Sequence, residues 1–446
     1  MSKALKLWAG IGAYALANAG AMTLGVTEAA KAEELLAVSD EAPPLLLSQN
    51  NACVAFAVDG GGEGGGEAAE INEGGEGGEG GEGGEGGEGG EGGEGGEGGE
   101  GGEGSSFSTL TFLPESQRFR DSQILINFAD NLVIPNYQFL TQRSGELSDA
   151  IAAFVNAPTD EMLATARQAW LATRTPWEQS ESFAFGPASF LGLDAELDDW
   201  PLNEVDVLAV LESGDALTTD YVAGLQTSQK GFHAIGFLLF GTDNDKSLSA
   251  FTPRELEYLT AIGPVFDQTA NDLLLSWTDG IQGNPPFRSE FVNAGSGSSL
   301  YPTVQSAGEE IVQGIIGILD ELGNVKIGEA YDAQNPFLLE SRFAQSSLQD
   351  FKANMRSAQN AYLGDLYGAG SAGRSLSDYL AEIDPALDAT IREGMQIALA
   401  HLETIPGPIE KTLCGEAAQP ELSAAQDSVV DLFELFQDQV LPLVQQ

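Results

Sequence analysis

The sequence predicts an all-α protein whose helices form antiparallel bundles, with a long stretch ahead of them that cannot fold. Three observations carry this expectation. From residue 105 to 446 apolar residues recur at helical spacing, and no run alternates as strands do. Helix-start and helix-stop residues follow one another closely, so connections are short and neighbouring helices run antiparallel. Residues 60–104 are nearly all glycine and glutamate, a composition that buries no core.

Residues 1–32 read as a signal peptide. Lys3 and Lys6 make a basic start, an apolar run with small residues follows through Leu24, and Ala30-Lys31-Ala32 fits a small-x-small cleavage site. The expected location is therefore the periplasm or another exported compartment of the cell envelope. No later stretch is apolar for long enough to span a bilayer. Residues 33–59 form an N-terminal mature segment of weak periodicity. From Glu73 to Glu103 the chain is a strict Gly-Gly-Glu repeat. Glycine maximises backbone entropy and the glutamates repel one another, so 60–104 is a disordered linker. A flexible chain of this length spans roughly 35–40 Å root-mean-square. Its carboxylates attract cations only diffusely, because no fold gathers them into a coordination shell.

The helices of the remainder can be placed in order. Ser122 to Ala157 has helical periodicity interrupted at Pro135. Thr159 starts the next helix, with Asp160 and Glu161 at the positive end of its dipole, and Pro176 breaks or bends it. Thr218 or Thr219 can cap the helix leading to His233. Thr252-Pro253-Arg254-Glu255 is a capping box with proline at the first helical position. Ser347 opens a helix that Gly364 closes, Ser375 starts another, and Asp427 to Leu441 is a final amphipathic helix. Asn284 to Ser299 is rich in Pro, Gly and Ser and divides the folded part into two bundles, 105–285 and 286–446.

Composition narrows the function. The net charge is −49, from 68 acidic and 19 basic residues. Nucleic acid and anionic lipid both need a basic surface, so neither is an expected partner, whereas cations are attracted. Cys53 and Cys414 are the two cysteines. In an exported chain they admit a disulfide, and two separate thiols are the other possibility. There is no HExxH, no G-x-S-x-G elbow and no P-loop.

The most unusual stretch is Gly231 to Gly241, GFHAIGFLLFG, which places one of only two histidines inside an apolar helical segment. It resembles the GxHxxE signature of imelysin-like proteins, the peptidase M75 family. Gly231, His233, Ala234, Ile235, Phe237, Leu238, Leu239 and Gly241 match the family's form, while Gly236 stands where the glutamate is usual. Three more stretches are similar to the family in its order: PWEQSESFAFGP (176–187), DAELDDWP (194–201) and NPFLLESRFAQSSLQDFKANMRSAQNAYLG (335–364). The resemblance implies two helical-bundle domains related by an internal pseudo-twofold axis, with a pocket between them. It also implies a part in iron uptake alongside other components of an envelope metal-uptake system, or a metallopeptidase activity.

In the HxxE pattern two residues three apart share a helix face, so imidazole and carboxylate can hold one ion. Gly236 removes that carboxylate, and a glycine there costs about 1 kcal/mol relative to alanine, so something must fill the space. Candidate ligands beside His233 are Glu181, Glu340 and Asp243, with Glu178, Asp198 and Asp199 in the same stretches. A set of one nitrogen and several oxygens suits iron or zinc. Gly231, Gly236, Phe183, Arg342, Asp199 and Trp200 are expected to line the pocket, with Arg342 the obvious partner for Glu181 or Glu340. The leading expectation is an exported, non-catalytic protein that binds a metal ion or a small ligand. The alternatives are a chelator-sensitive peptidase, and a degenerate member whose pocket takes a protein or organic ligand and no metal.

Overall fold

The computed structural model describes residues 113–366 and 373–446. The expected signal peptide, the 33–59 segment, Cys53 and the Gly-Gly-Glu stretch lie outside them. Among the described residues every regular element is helical, and no helix is long and apolar enough to cross a membrane.

The first α-helix is α1 (Ser122–Asn127), whose first turn is capped by the Asp121 carboxylate accepting from the Gln123 amide. A π-helical segment, Phe128–Val133, leads straight into α2 (Ile134–Asn156). The interruption expected at Pro135 is thus a widened turn and not a break. A wider turn accommodates a residue that lacks an N–H and crowds the preceding carbonyls. Next comes α3 (Asp160–Glu178), where Thr159 Oγ1 accepts from the Met162 amide at 3.2 Å. Pro176 lies in its last turn, and the helix ends at Glu178.

A run of short helices follows, including α4 (Leu193–Asp198) and α5 (Glu204–Glu212). Thr218 caps only the short helix Thr219–Ala223. The histidine helix, α6 (Gly231–Phe240), starts afresh at Gly231, where φ is 78°. The expectation of one continuous helix from Thr218 to His233 is corrected accordingly. The long α7 (Pro253–Thr278) opens on the capping box of Thr252 and Glu255.

Further along, α8 (Val304–Asp320) passes through a π-helical segment, Glu321–Ile327. Then come α9 (Ser347–Leu363), closed by Gly364 at φ 70°, and α10 (Pro385–Thr404). The last long helix, α11 (Gln419–Leu435), starts earlier than periodicity suggests, because Pro420 suits a first helical turn, and it ends in a π-helical segment, Phe436–Val440.

α2 packs against α3 and α7, and α6 rests on α3, α4 and α7. α9 packs on α8 and α10, and α11 packs on both α8 and α10. α3 packs on α9, and one apolar core runs through the described residues. Arg174 and Glu178 of α3 thereby meet Asp350 and Asn354 of α9, all of them buried.

Candidate metal centre

The site is built from elements far apart in the sequence, α3, α4, α6 and the stretch from 326 to 354. On α3, Arg174 and Glu178 are four residues apart and form a buried ion pair on one helix face. At the end of α4 stands Asp198. A carboxylate at a helix C-terminus is disfavoured by the dipole and needs donors. It has them: Trp177 Nε1 donates to Asp198 Oδ2 at 2.5 Å, and Arg174 pairs with Oδ1.

His233 is delivered to the same carboxylate by the start of α6. A Cβ at Gly231 would lie 2.4 Å from the Leu197 carbonyl oxygen, so only glycine lets α6 begin against the end of α4. His233 Nε2 then sits 3.0 Å from Asp198 Oδ1 and 3.9 Å from Glu340 Oε1. Glu340 comes from the turn before α9. It is held by Arg174 Nη2 at 3.1 Å and by Lys326 Nζ at 2.8 Å. Lys326 belongs to the π-helical segment after α8 and also reaches Glu178 Oε2 at 3.2 Å. From α9, Asn354 Nδ2 donates to Glu178 Oε2 at 2.7 Å, and Asp350 Oδ2 lies 3.5 Å from Arg174 Nη2.

The side chains of Arg174, Glu178, Asp198, His233, Lys326, Glu340 and Asp350 are all at most 4% exposed. Four of these are carboxylates and two are fixed cations, so the interior carries an excess of acid. Burial alone would raise Asp198, but Arg174 and then His233 outweigh it and hold the carboxyl well below the usual range. Glu340 is lowered for the same kind of reason, burial being outweighed by Lys326 and Arg174. At Asp350 and Glu178 burial wins over the nearby cations and both are raised. At the edge of the cluster, burial followed by the Asp198 charge pushes Asp194 up to about 8. Glu181 is raised well above its usual value, also chiefly by burial.

Asp194 gives a pH dependence with a definite sign. Between about pH 4 and about 8 the folded chain keeps a proton that the unfolded chain has released. The folded state binds more protons in that window, so stability falls as pH rises and levels off above about 8. Asp194→Asn should flatten that decline. Melting temperatures of both proteins from pH 5 to 9 check it, and parallel curves would count against it.

Three donor atoms of Asp198, His233 and Glu340 lie within 4.8 Å of one another. The structure thus brings together His233 and Glu340 with Asp198. Glu181 borders them, in a second such group with Glu178 and Asp198. Asp243 is not brought in. It is exposed in the turn after α6, where its backbone oxygen accepts from Gln345 Nε2 at 3.2 Å. Arg342 pairs with neither Glu181 nor Glu340. It pairs with Glu204 of α5 and lies over the Phe343 ring, 4.2 Å from the centroid. The cations beside Glu340 are Arg174 and Lys326 instead. Asp199 accepts from Thr227 Oγ1 at 2.5 Å, Trp200 is half-buried next to it, and Phe183 is core, edge-on to Phe128 and Tyr137.

Gly236 has a physical partner. A Cβ there would lie 3.2 Å from Cζ2 of Trp170, whose Nε1 donates to the Phe232 carbonyl at 3.0 Å. The indole fills the room a side chain at 236 would need. Gly236→Glu is therefore expected to destabilise by about 1–3 kcal/mol through overpacking, with no gain in metal affinity. Thermal melts and a zinc titration check this, and tighter binding in that variant would contradict it.

Residues that sequence reasoning passed over are Arg174, Lys326, Asp350 and Asn354. Only Arg174 left a signal, as a cation on the apolar face that carries Trp170 and Trp177.

With this geometry in hand, the relatives of the chain can be set beside it. Residues 133–436 match the family described as Peptidase M75, imelysin. The chain belongs to the imelysin family. It is 32% identical over 331 residues to iron-regulated protein A of Synechococcus elongatus, across 74% of this chain and 89% of that one. A solved iron-regulated protein A precursor from Parabacteroides distasonis superposes with a TM-score of 0.68 at 25% identity, covering 76% of this chain and 97% of that one. An imelysin-like protein from Psychrobacter arcticum shares the fold, with a TM-score of 0.58 at 16% identity over 73% and 95% of the two chains. This imelysin-like chain thus carries its buried acid cluster between helices α3, α4, α6 and α9.

Proposed function

We propose that this imelysin-like protein is an exported metal-binding protein of iron uptake that holds one ion on His233, Asp198 and Glu340, and that it is not a peptidase. One observation carries the reading: His233 Nε2 is buried and faces two carboxylate oxygens, 3.0 Å from Asp198 Oδ1 and 3.9 Å from Glu340 Oε1, without the alignment of a satisfied hydrogen bond. An unsatisfied buried nitrogen facing anionic oxygens is what a cation would complete. The excess of buried acid points the same way. One imidazole and two carboxylates suit iron or zinc, and the relatives named as iron-regulated favour iron. A bound ion there would supply the positive charge the cluster lacks.

Export is supported by the leader-like residues 1–32, by the word precursor in the name of the Parabacteroides relative, and by Cys414 being disulfide-bonded. A catalytic zinc needs an open position for water or substrate, whereas the donors here are almost wholly enclosed. Other components of an envelope metal-uptake system are the natural partners.

Protein purified from the exported fraction should retain close to one equivalent of iron or zinc by mass spectrometry, and His233→Ala should lose it. Equal metal in both proteins, or none in either, would refute the site. Chelator-sensitive cleavage of an unstructured protein substrate would refute the non-catalytic part.

A further inference from the structure

We infer that Arg174 is a displaceable plug: its guanidinium occupies the carboxylate oxygens a metal on His233 would need, so it sets how tightly the site holds an ion. This rests on the metal reading above and goes beyond it.

The coincidence is atom for atom. His233 Nε2 faces Asp198 Oδ1 and Glu340 Oε1. Arg174 pairs with those same two oxygens, through Nη1 on the first and Nη2 on the second. An ion seated between imidazole and carboxylates would claim the lone pairs the guanidinium now uses. It would also stand within a few ångströms of a fixed positive charge, and in a poorly solvated interior that repulsion is large. Metal and guanidinium therefore compete, and Arg174 must yield its place to let an ion in.

The cluster gives it somewhere to go. Glu178 already pairs with Arg174 from one turn along α3. The Asp350 carboxylate lies 3.5 Å from Nη2, outside good hydrogen-bond range, so this contact can tighten on a small shift. The Arg174 Nε–H is buried and unused where it stands, so its present position does not satisfy every donor. A rotation toward Glu178 and Asp350 keeps the guanidinium paired on α3 and α9 and frees Asp198 and Glu340. Monovalent cations could not offset that exchange, whereas a divalent ion with affinity for imidazole could. The plug thereby favours transition metals over sodium or potassium and keeps the ion exchangeable.

The test is a titration at pH 7.5 with zinc alone, and with ferrous ion under anaerobic conditions, on the full chain and on Arg174→Gln. The variant should bind at least tenfold more tightly than the wild type, and zinc should raise its melting temperature by more. Equal or weaker affinity in a folded variant, with binding in the wild type intact, would overturn the plug and leave the metal site standing. No binding by either protein would overturn both. Should Arg174→Gln fail to fold, the wild type carries the test, with nitrogen-15 labelled arginine side chains. The Arg174 Nε–H resonance should move on adding zinc, and stay still in His233→Ala. A resonance that stays still while zinc binds the wild type would overturn the plug.

Discussion

Lys326→Met is expected to destabilise the fold by about 3–5 kcal/mol, the usual cost of breaking a buried ion pair by removing one partner. Lys326 is 1% exposed and contacts Glu178 at 3.2 Å and Glu340 at 2.8 Å. Methionine keeps nearly the same length and fills the same space, so packing is preserved and the lost charge dominates. Glu178 and Glu340 would then share one cation, Arg174, while remaining out of water. For a folded part of this size the change corresponds to roughly 4–7 °C in melting temperature. Chemical denaturation and thermal melts read it directly. The double variant Lys326→Met, Glu340→Gln should recover part of the loss, since it removes an unpaired charge along with its partner. A drop of less than about 1 kcal/mol would mean that water or a rearranged Arg174 already neutralises those acids.

The second large effect separates binding from folding. His233→Ala is expected to weaken zinc or ferrous binding by at least about 100-fold, beyond what loss of an outer partner of a metal ligand costs. The ion-free protein should still fold. The Asp198 carboxylate loses the imidazole 3.0 Å away but keeps Arg174 and Trp177. The packing of a buried ring is also removed, a cost of about 2–4 kcal/mol at most. Calorimetric titration of zinc into both proteins, beside melts of the ion-free forms, decides it. Unchanged affinity would place any bound ion elsewhere in the acid cluster.

Much of the helical framework was legible in the residues. Thr159, Thr252 and Ser375 each cap the helix that their neighbours announced, and Gly364 closes another. These are contacts between residues three or four apart, and such chemistry is written locally. The histidine segment was legible for the same reason. The failures were also consistent. Pro135 was expected to interrupt and instead lies in the first turn of α2, directly after a π-helical segment, and Thr218 was expected to lead to His233 and caps only a short helix. Each depended on what packs alongside.

The site was half legible. His233 and Glu340 were named, and Glu178 and Asp198 were in view, but Arg342 was assigned the role that Arg174 and Lys326 fill. Arg342 is two positions from Glu340, and nearness in sequence suggested a pair. Arg174 reaches Glu340 from 166 positions away. Asp243 followed the histidine helix closely and still ended in solvent.

The residues alone determined that this chain is helical, that a histidine stands in an apolar helix, and that a carboxylate is missing three positions on. They did so because period, capping and motif are properties of neighbouring residues. Only the packing of α6 on α3 and α4, and of α3 on α9, decided which acids surround that histidine, which cations oppose them, and that an indole fills the space above Gly236. Burial makes those decisions. A charge withdrawn from water must find its partner wherever in the chain one is brought within reach, and that distance is set by the whole fold.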